Sequence, residues 1–188
     1  MLDGSPDSPP GGEANHNQMH RLLSEGVQLL AGNRPSEAAE KLAQAYELDP
    51  ENAAAAINLG GAYILDGRHA RAIPVLESAS RLEPDNAMLW SNLAAAYLGK
   101  LPFSSAEGRS RAITAYRRAL ALDPFAPNVW YNLGLIYLQQ DDLEQAAEAF
   151  TGALDTDPTD RDAALWLKRL QEGAPGANDA GADPAGTS

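Results

Sequence analysis

Apolar residues recur along most of this chain at intervals of three and four, the spacing that places side chains on one face of an α-helix. Leu59 and Tyr63 form one such stripe, and Ala72, Leu76 and Ala79 form a second stripe further along. The two stripes predict two amphipathic helices that pack against each other. Small residues within them allow the two backbones to approach closely.

The same pair of stripes returns at a nearly constant interval. Each copy ends at a proline, and Pro50, Pro84, Pro124 and Pro158 are separated by 34, 40 and 34 residues. A proline closes a helix because its ring and its missing N–H cannot continue the hydrogen-bond ladder. The chain therefore contains repeated helical hairpins, which must stack to cover their apolar flanks.

The fourth copy carries the fullest pattern. It contains, in order, Trp130, Leu133, Gly134, Tyr137, Ala146, Phe150, Ala153 and Pro158. This pattern resembles that of the tetratricopeptide repeat (TPR) family. The resemblance implies an all-α fold, a right-handed α-solenoid of four helix-turn-helix hairpins followed by a C-terminal capping helix. It also implies that a partner binds in a concave groove lined by the first helix of each hairpin.

The repeat boundaries follow from this register. We predict a disordered tail over 1–16, a repeat domain over 17–172 and a second disordered tail over 173–188, because both ends are rich in glycine, proline and other residues that bury little apolar surface. The predicted repeats are about 19–52, 53–86, 87–126 and 127–160, with a capping helix over 160–172.

Two features break the regular pattern. The third repeat is six residues longer than the others, and the extra length falls around 99–105, which predicts an enlarged loop. Pro74 falls inside the second helix of the second repeat. Because proline removes a backbone hydrogen bond there, we expect either a kink or an early-turn position in that helix.

The groove implied by the resemblance is apolar and contains regularly spaced amides. Its expected residues are Leu23, Val27, Leu30, Ile57, Asn58, Ile64, Met88, Asn92, Leu98, Tyr131, Asn132, Leu135 and Leu138. The three asparagines either bind a peptide backbone, since an amide both donates and accepts, or bond a neighbouring helix, and both interpretations stay open. The family subclass that grips a C-terminal carboxylate with Lys and Arg is not matched, since Leu23 and Val27 occupy two of those positions.

A second candidate surface lies in and after the insertion of the third repeat. Basic residues outnumber acidic ones between 100 and 118, whereas 141–162 holds eight acids and one arginine. The residues of this secondary docking surface are Leu101, Phe103, Arg109, Arg111, Arg117 and Arg118. Opposite charges on successive parts of the chain favour docking of an acidic partner or head-to-tail self-association; the alternative is an ordinary solvated helix face.

The remaining chemistry argues against an enzyme. The net charge of −12 disfavours nucleic acid as a partner, and the absence of cysteine removes thiolate nucleophiles and cysteine-based metal sites. His16 and His20 stand four residues apart without a third ligand, and His69 is expected at a helix start. Asp141 and Asp142 are expected to cap a helix. We predict no catalytic residue, no cofactor and no metal site.

These observations predict a non-catalytic scaffold or adaptor that binds a peptide or an amphipathic helix of a larger assembly. The alternative is a structural protein that assembles with copies of itself. The sequence shows neither a secretory signal nor an apolar run long enough for a membrane span. We therefore expect a cytoplasmic protein, whose association with any membrane complex would run through a partner.

Overall fold

The computed structural model describes residues 10–101 and 104–173. This part of the chain folds into nine α-helices and contains no strand. In chain order they are α1 (Pro10–Ala31), α2 (Pro35–Leu48), α3 (Ala53–Leu65), α4 (His69–Leu82), α5 (Ala87–Leu98), α6 (Ala106–Leu122), α7 (Val129–Gln139), α8 (Leu143–Thr156) and α9 (Arg161–Gln171). The helices α1 to α8 pack in successive pairs as hairpins, and α9 packs on α8. The all-α hairpin-repeat class predicted from the sequence is confirmed.

The chain divides into two compact units, Met1–Pro84 and Asp85–Ser188, and each is described by itself. In unit 1, α3 packs against α1, α2 and α4. Gly60 on α3 faces Leu76 on α4, and a Cβ atom at Gly60 would lie 2.4 Å from Leu76 Cδ2. Only glycine lets these two helices approach so closely.

Unit 2 contains α5 to α9 around one hydrophobic core. Tyr116 on α6 and Phe150 on α8 are the largest of its fully buried side chains. The Phe150 ring stacks on Trp166 with ring centroids 6.2 Å apart. This stacking attaches α9 to the last hairpin, at the position where the sequence predicted a capping helix.

Side-chain caps set where several helices begin. Asn52 and Asn86 each accept a hydrogen bond from the backbone N–H three residues further on, at 2.9 and 3.1 Å. Asp142 accepts from the N–H of Gln145 at 3.1 Å, so the expected capping role is confirmed for this residue. Asp141 instead adopts the left-handed conformation just before the helix, with φ of 59°.

The predicted N-terminal tail is corrected in part. Helix α1 begins at Pro10, so residues 10–16, which the sequence assigned to the tail, are helical. A proline is well tolerated at the first position of a helix because its missing N–H is not needed there. Residues 1–9 and 174–188, which carry the rest of the tail prediction, lie outside the described residues.

The structure also shows where Pro74 and the insertion of the third repeat lie. Pro74 is the sixth residue of α4, so the early-turn position is wrong, and the alternative of a kink stays a prediction. The insertion of the third repeat does not fall in a loop alone: α6 has 17 residues, whereas α2, α4 and α8 have 14 each. The extra length is therefore divided between the connection and the helix.

Candidate partner-binding surfaces

The first helices of unit 1 expose a partly apolar strip. Leu23 and Leu30 on α1 and Ile64 on α3 are half-buried, and Val27 is 43% exposed. Asn58 on α3 is also half-buried, and its Nδ2–H donates at 2.8 Å to a carbonyl of its own helix, four residues back. Among the described residues, the hydrogen bond of this amide therefore runs within α3 and not to a neighbouring helix.

The matching strip in unit 2, called here the first-helix surface, consists of Met88 and Asn92 on α5 with Tyr131, Asn132 and Leu135 on α7. Met88 is 59% exposed and the other four are half-buried. Both helices pack on the same core cluster. Among the described residues, neither of the two asparagine side chains makes a hydrogen bond. Each amide is thus able to donate and to accept.

Three residues predicted for the groove lie in the core, and that expectation is wrong for them. Ile57 is 4% exposed because α3 packs against helices on several sides. Leu98 and Leu138 end α5 and α7, and both belong to the hydrophobic cluster of unit 2. The helical spacing placed these side chains beside the groove residues, but neighbouring helices cover them.

The arginines of the secondary docking surface all have partners inside unit 2. Arg109 donates to the Ser104 carbonyl, and Arg111 contacts both the ring and the hydroxyl of Tyr97. Arg117 donates to the Tyr137 hydroxyl, and Arg118 donates to the Asp85 carboxylate. Leu101 is half-buried against the core, and Phe103 lies outside the described residues. The guanidinium groups therefore order α6 and its connections, and a docking role for this surface stays a prediction.

A cleft of about 460 Å³ lies between α1 and α2 in unit 1. Charged side chains line much of it, and four of them form two ion pairs. Lys41 Nζ lies 3.0 Å from a carboxylate oxygen of Glu25, and Arg34 pairs with Glu37. The hydrogen bond from Arg34 lowers the pKa of the Glu37 carboxyl. Both basic groups of this cleft are therefore held by ion pairs, and the carboxylate of Glu40 is the additional charge.

A second cleft, of about 360 Å³, was missed by sequence reasoning. It lies in unit 2 beside the connection between α6 and α7, and its lining includes Phe125, Trp130 and Tyr131. Phe125 is 69% exposed, the most exposed large apolar side chain of the described residues. The sequence does contain a signal for this cleft. The residue after the repeat-closing proline is polar in the other three copies, as Glu51, Asp85 and Thr159, so an aromatic residue at position 125 stands out.

The histidines make only local contacts. His16 Nε2 and His20 Nε2 lie 2.9 Å apart on the exposed face of α1, and no group of three His, Cys, Asp or Glu side chains able to hold a metal ion occurs in the described residues. His69 Nδ1 lies 3.2 Å from the carbonyl oxygen of Gly67, at the start of α4, where the sequence placed it. None of the helices in the described ranges combines the length and apolar character of a membrane span.

Tandem helical hairpins with partly exposed apolar and amide residues on their first helices define a helical-repeat protein of the type that binds other proteins. Two tetratricopeptide repeat models match this chain, one over residues 29–96 and the other over 104–161. The chain belongs to the tetratricopeptide repeat family. Repeat proteins of this family are generally non-catalytic protein–protein interaction scaffolds.

Similarity to individual proteins is more distant. The general transcriptional corepressor ssn6 of Schizosaccharomyces pombe is 45% identical over 51 residues, which are 26% of this chain and 5% of that protein. The crystal structure of MamA is 22% identical with a TM-score of 0.71, and the match covers 88% of this chain and 87% of MamA. At this identity the likeness concerns the fold.

Two further structures give the same result. PilF of Pseudomonas aeruginosa has a TM-score of 0.70 at 22% identity, with 85% of this chain and 70% of PilF covered. YrrB, described as a TPR protein with an unusual peptide-binding site, has a TM-score of 0.65 at 20% identity, with 89% and 85% covered.

Proposed function

We propose that this chain is a non-catalytic scaffold that holds a peptide or an amphipathic helix of a partner protein. The observation that carries the proposal is the first-helix surface of unit 2, where the exposed Met88 and the half-buried Tyr131 and Leu135 lie with two amides. Apolar side chains favour binding in proportion to the area they remove from water. The amides bind a peptide backbone whatever its side chains are.

The composition of this surface favours an apolar ligand over a charged tail. None of its five residues is basic, so it offers no charged group for a terminal carboxylate. A methionine adapts its shape to different ligands because its side chain is flexible and polarizable. The peptide-binding site named for YrrB supports the idea that this fold can present such a surface. A cytoplasmic location remains a prediction.

Self-association is the second candidate function. Within unit 2, α6 carries several exposed arginines, whereas α8 carries Glu144, Glu148 and Asp155 and no basic residue. Opposite charges on separate helices favour contact between copies. Analytical ultracentrifugation at low and high salt tests this candidate. A salt-sensitive oligomer supports it, and a monomer at both salt concentrations rules it out.

Substitution of the first-helix surface tests the leading proposal. The intact protein is used to capture partners, a benzophenone amino acid at position 88 identifies the segment that touches the surface, and titration calorimetry with that segment gives the affinity. Met88→Asp and the pair Asn92→Ala with Asn132→Ala should each weaken binding at least about tenfold. Leu143→Asp is the matched control, because Leu143 is 46% exposed on α8 and undergoes a similar apolar-to-acid change.

Circular dichroism checks the helical content of each variant. We expect it to be unchanged, because exposed and half-buried positions tolerate these substitutions. The proposal is wrong if the surface variants bind the segment as tightly as the unmodified chain does. It is also wrong if Leu143→Asp weakens binding as much as Met88→Asp does, because the effect would then follow added charge and not position.

A further inference from the structure

The connection between α6 and α7 differs from the other connections between repeats. Helices α3, α5 and α9 each begin three residues after the repeat-closing proline, whereas α7 begins at Val129, five residues after Pro124. Asn128 precedes α7 in the left-handed conformation, with φ of 62°, and its side chain makes no capping bond. Asn52 and Asn86 cap the corresponding helices. The third connection therefore lacks the side-chain N-cap that Asn52 and Asn86 supply in the first two connections.

The connection holds Phe125 outward, as the other connections hold Glu51 and Thr159 through the same backbone bond to the aspartate two residues back. The Phe125 backbone N–H donates to Asp123 Oδ1 at 2.9 Å, and the next residue, Ala126, is 3% exposed in the core of unit 2. On the other side, the Trp130 indole N–H donates to the carbonyl of Pro124 at 3.2 Å. With both neighbours anchored, the backbone presents the phenyl ring at the surface. Its exposure is imposed by the backbone and is not a property of a loose loop.

Phe125 stands at the edge of the 360 Å³ cleft, and two acids share the lining with it. Asp157 Oδ1 accepts from the Thr159 N–H at 2.9 Å and from its hydroxyl at 2.7 Å. Asp160 Oδ1 caps α9 by accepting from two backbone N–H groups. These bonds use one oxygen of each carboxylate, and the bonds from Thr159 lower the pKa of the Asp157 carboxyl. Among the described residues that line the cleft, none is basic.

Aromatic rings next to fixed carboxylates are suited to a cation with an apolar neighbour. A guanidinium or ammonium group is attracted to the face of an aromatic ring and to a carboxylate, and an adjacent aliphatic side chain covers the exposed phenyl ring. An acidic or phosphorylated ligand would meet only negative charge here. Charge complementarity therefore selects one kind of occupant.

We propose that the cleft beside Phe125 binds a segment of a partner protein in which a lysine or arginine stands next to an apolar residue. This site goes beyond the first-helix surface, because the two share only Tyr131. The other lining residues are Trp130 at the start of α7 and residues of the connection before it, of the end of α8 and of the connection between α8 and α9. The repeat fold does not need Phe125, since three copies form without an aromatic residue at that position.

Backbone-amide NMR titration of the full chain tests this site with two acetylated and amidated tripeptides, Leu-Arg-Leu and Leu-Glu-Leu. The arginine peptide should shift amides of 123–131 and 156–160 in a saturable manner, and the glutamate peptide should not. Phe125→Thr copies the residue of the next connection and should raise the dissociation constant of the arginine peptide about fivefold. Asp157→Asn should raise it similarly, because the carbonyl keeps the Thr159 bonds without the charge.

Two outcomes overturn the proposal: equal shifts with both tripeptides, or an unchanged dissociation constant in Phe125→Thr. A chain that shows no saturable shift with the arginine peptide up to roughly 10 mM overturns it as well. Asn92→Ala serves as the control from the first-helix surface and should leave the arginine peptide unaffected. Loss of binding in that variant would assign the peptide to the other surface, so failure of this site and failure of the proposed function are told apart.

Discussion

Substitution of Gly134 by alanine tests the close packing that defines each hairpin. A methyl carbon at Gly134 would lie 2.6 Å from Cε1 and 2.7 Å from Cζ of Phe150. Ordinary carbon contacts begin near 3.4 Å, so the ring would have to move by about 0.8 Å. Phe150 is fully buried between Tyr131, at 5.8 Å, and Trp166, at 6.2 Å between ring centroids, so it has little room to move.

Two effects of opposite sign determine how Gly134→Ala changes the free energy of unfolding. Overpacking a filled core costs about 1–3 kcal/mol. Alanine in place of glycine inside a helix contributes about 1 kcal/mol of stability. Because the rigid ring cannot yield, we expect overpacking to win and stability to fall by up to about 2 kcal/mol. Urea unfolding followed by circular dichroism at 222 nm measures the difference, and the thermal midpoint should fall by about 2–4 °C per kcal/mol.

Gly32→Ala is the matched control. The nearest atoms to a methyl group there are backbone oxygens at 3.5 Å, an ordinary contact, and Gly32 is exposed. This variant should be neutral or more stable by up to about 1 kcal/mol. If Gly134→Ala is also stabilised, helix propensity alone decides the outcome, and the argument that glycine is required for close approach fails.

Two further variants probe buried and irregular positions. Burial raises the pKa of the Tyr116 hydroxyl, so above pH 10 only the unfolded chain releases this proton. The stability that this buried hydroxyl contributes is complete below pH 10, and the free energy of unfolding should decline by up to about 1.4 kcal/mol per pH unit above it. Urea unfolding between pH 8 and 12 should show that this free energy falls less steeply with pH in Tyr116→Phe than in the unmodified chain. An equal decline in both proteins would contradict the assignment of the effect to Tyr116. Pro74→Ala should stabilise the chain by up to about 3 kcal/mol, because Pro74 is exposed inside α4 and lacks a backbone N–H. A lower urea midpoint in that variant would show that the ring makes contacts worth more than the missing hydrogen bond.

The helical hairpins could be predicted because their pattern rests on local packing rules. A glycine such as Gly60 needs a large partner such as Leu76 at a fixed helical offset, and both residues are visible in the sequence. Closing prolines and capping residues such as Asn52 then limit each helix. These signals act over a few residues, so each repeat can be recognised from its own segment of the sequence.

The candidate site was harder to predict because burial depends on elements that are distant in sequence. Ile57 has the same apolar character as Ile64, yet the former is buried and the latter half-buried. Helical spacing alone cannot tell which face a neighbouring helix covers. The arginines of α6 raised the same difficulty: their charge suggested a docking surface, but Arg117 reaches the hydroxyl of Tyr137, twenty residues further on. Side-chain pairing across helices leaves no periodic trace in a single sequence.

In a repeat protein, residues shared by all copies are explained by packing, since every hairpin faces the same stacking problem. Specificity for a partner must therefore come from positions at which one copy differs without a packing reason. Phe125 meets this condition: it contributes little to the core, its counterparts are polar, and the surrounding connection has lost a helix cap. By contrast, Tyr116 also differs from Leu42 and Leu76 at the matching position, but it is buried in the core of unit 2. That change is a packing variation inside the core, whereas the exposure of Phe125 has no compensation among the described residues. A partner that covers the ring would supply it.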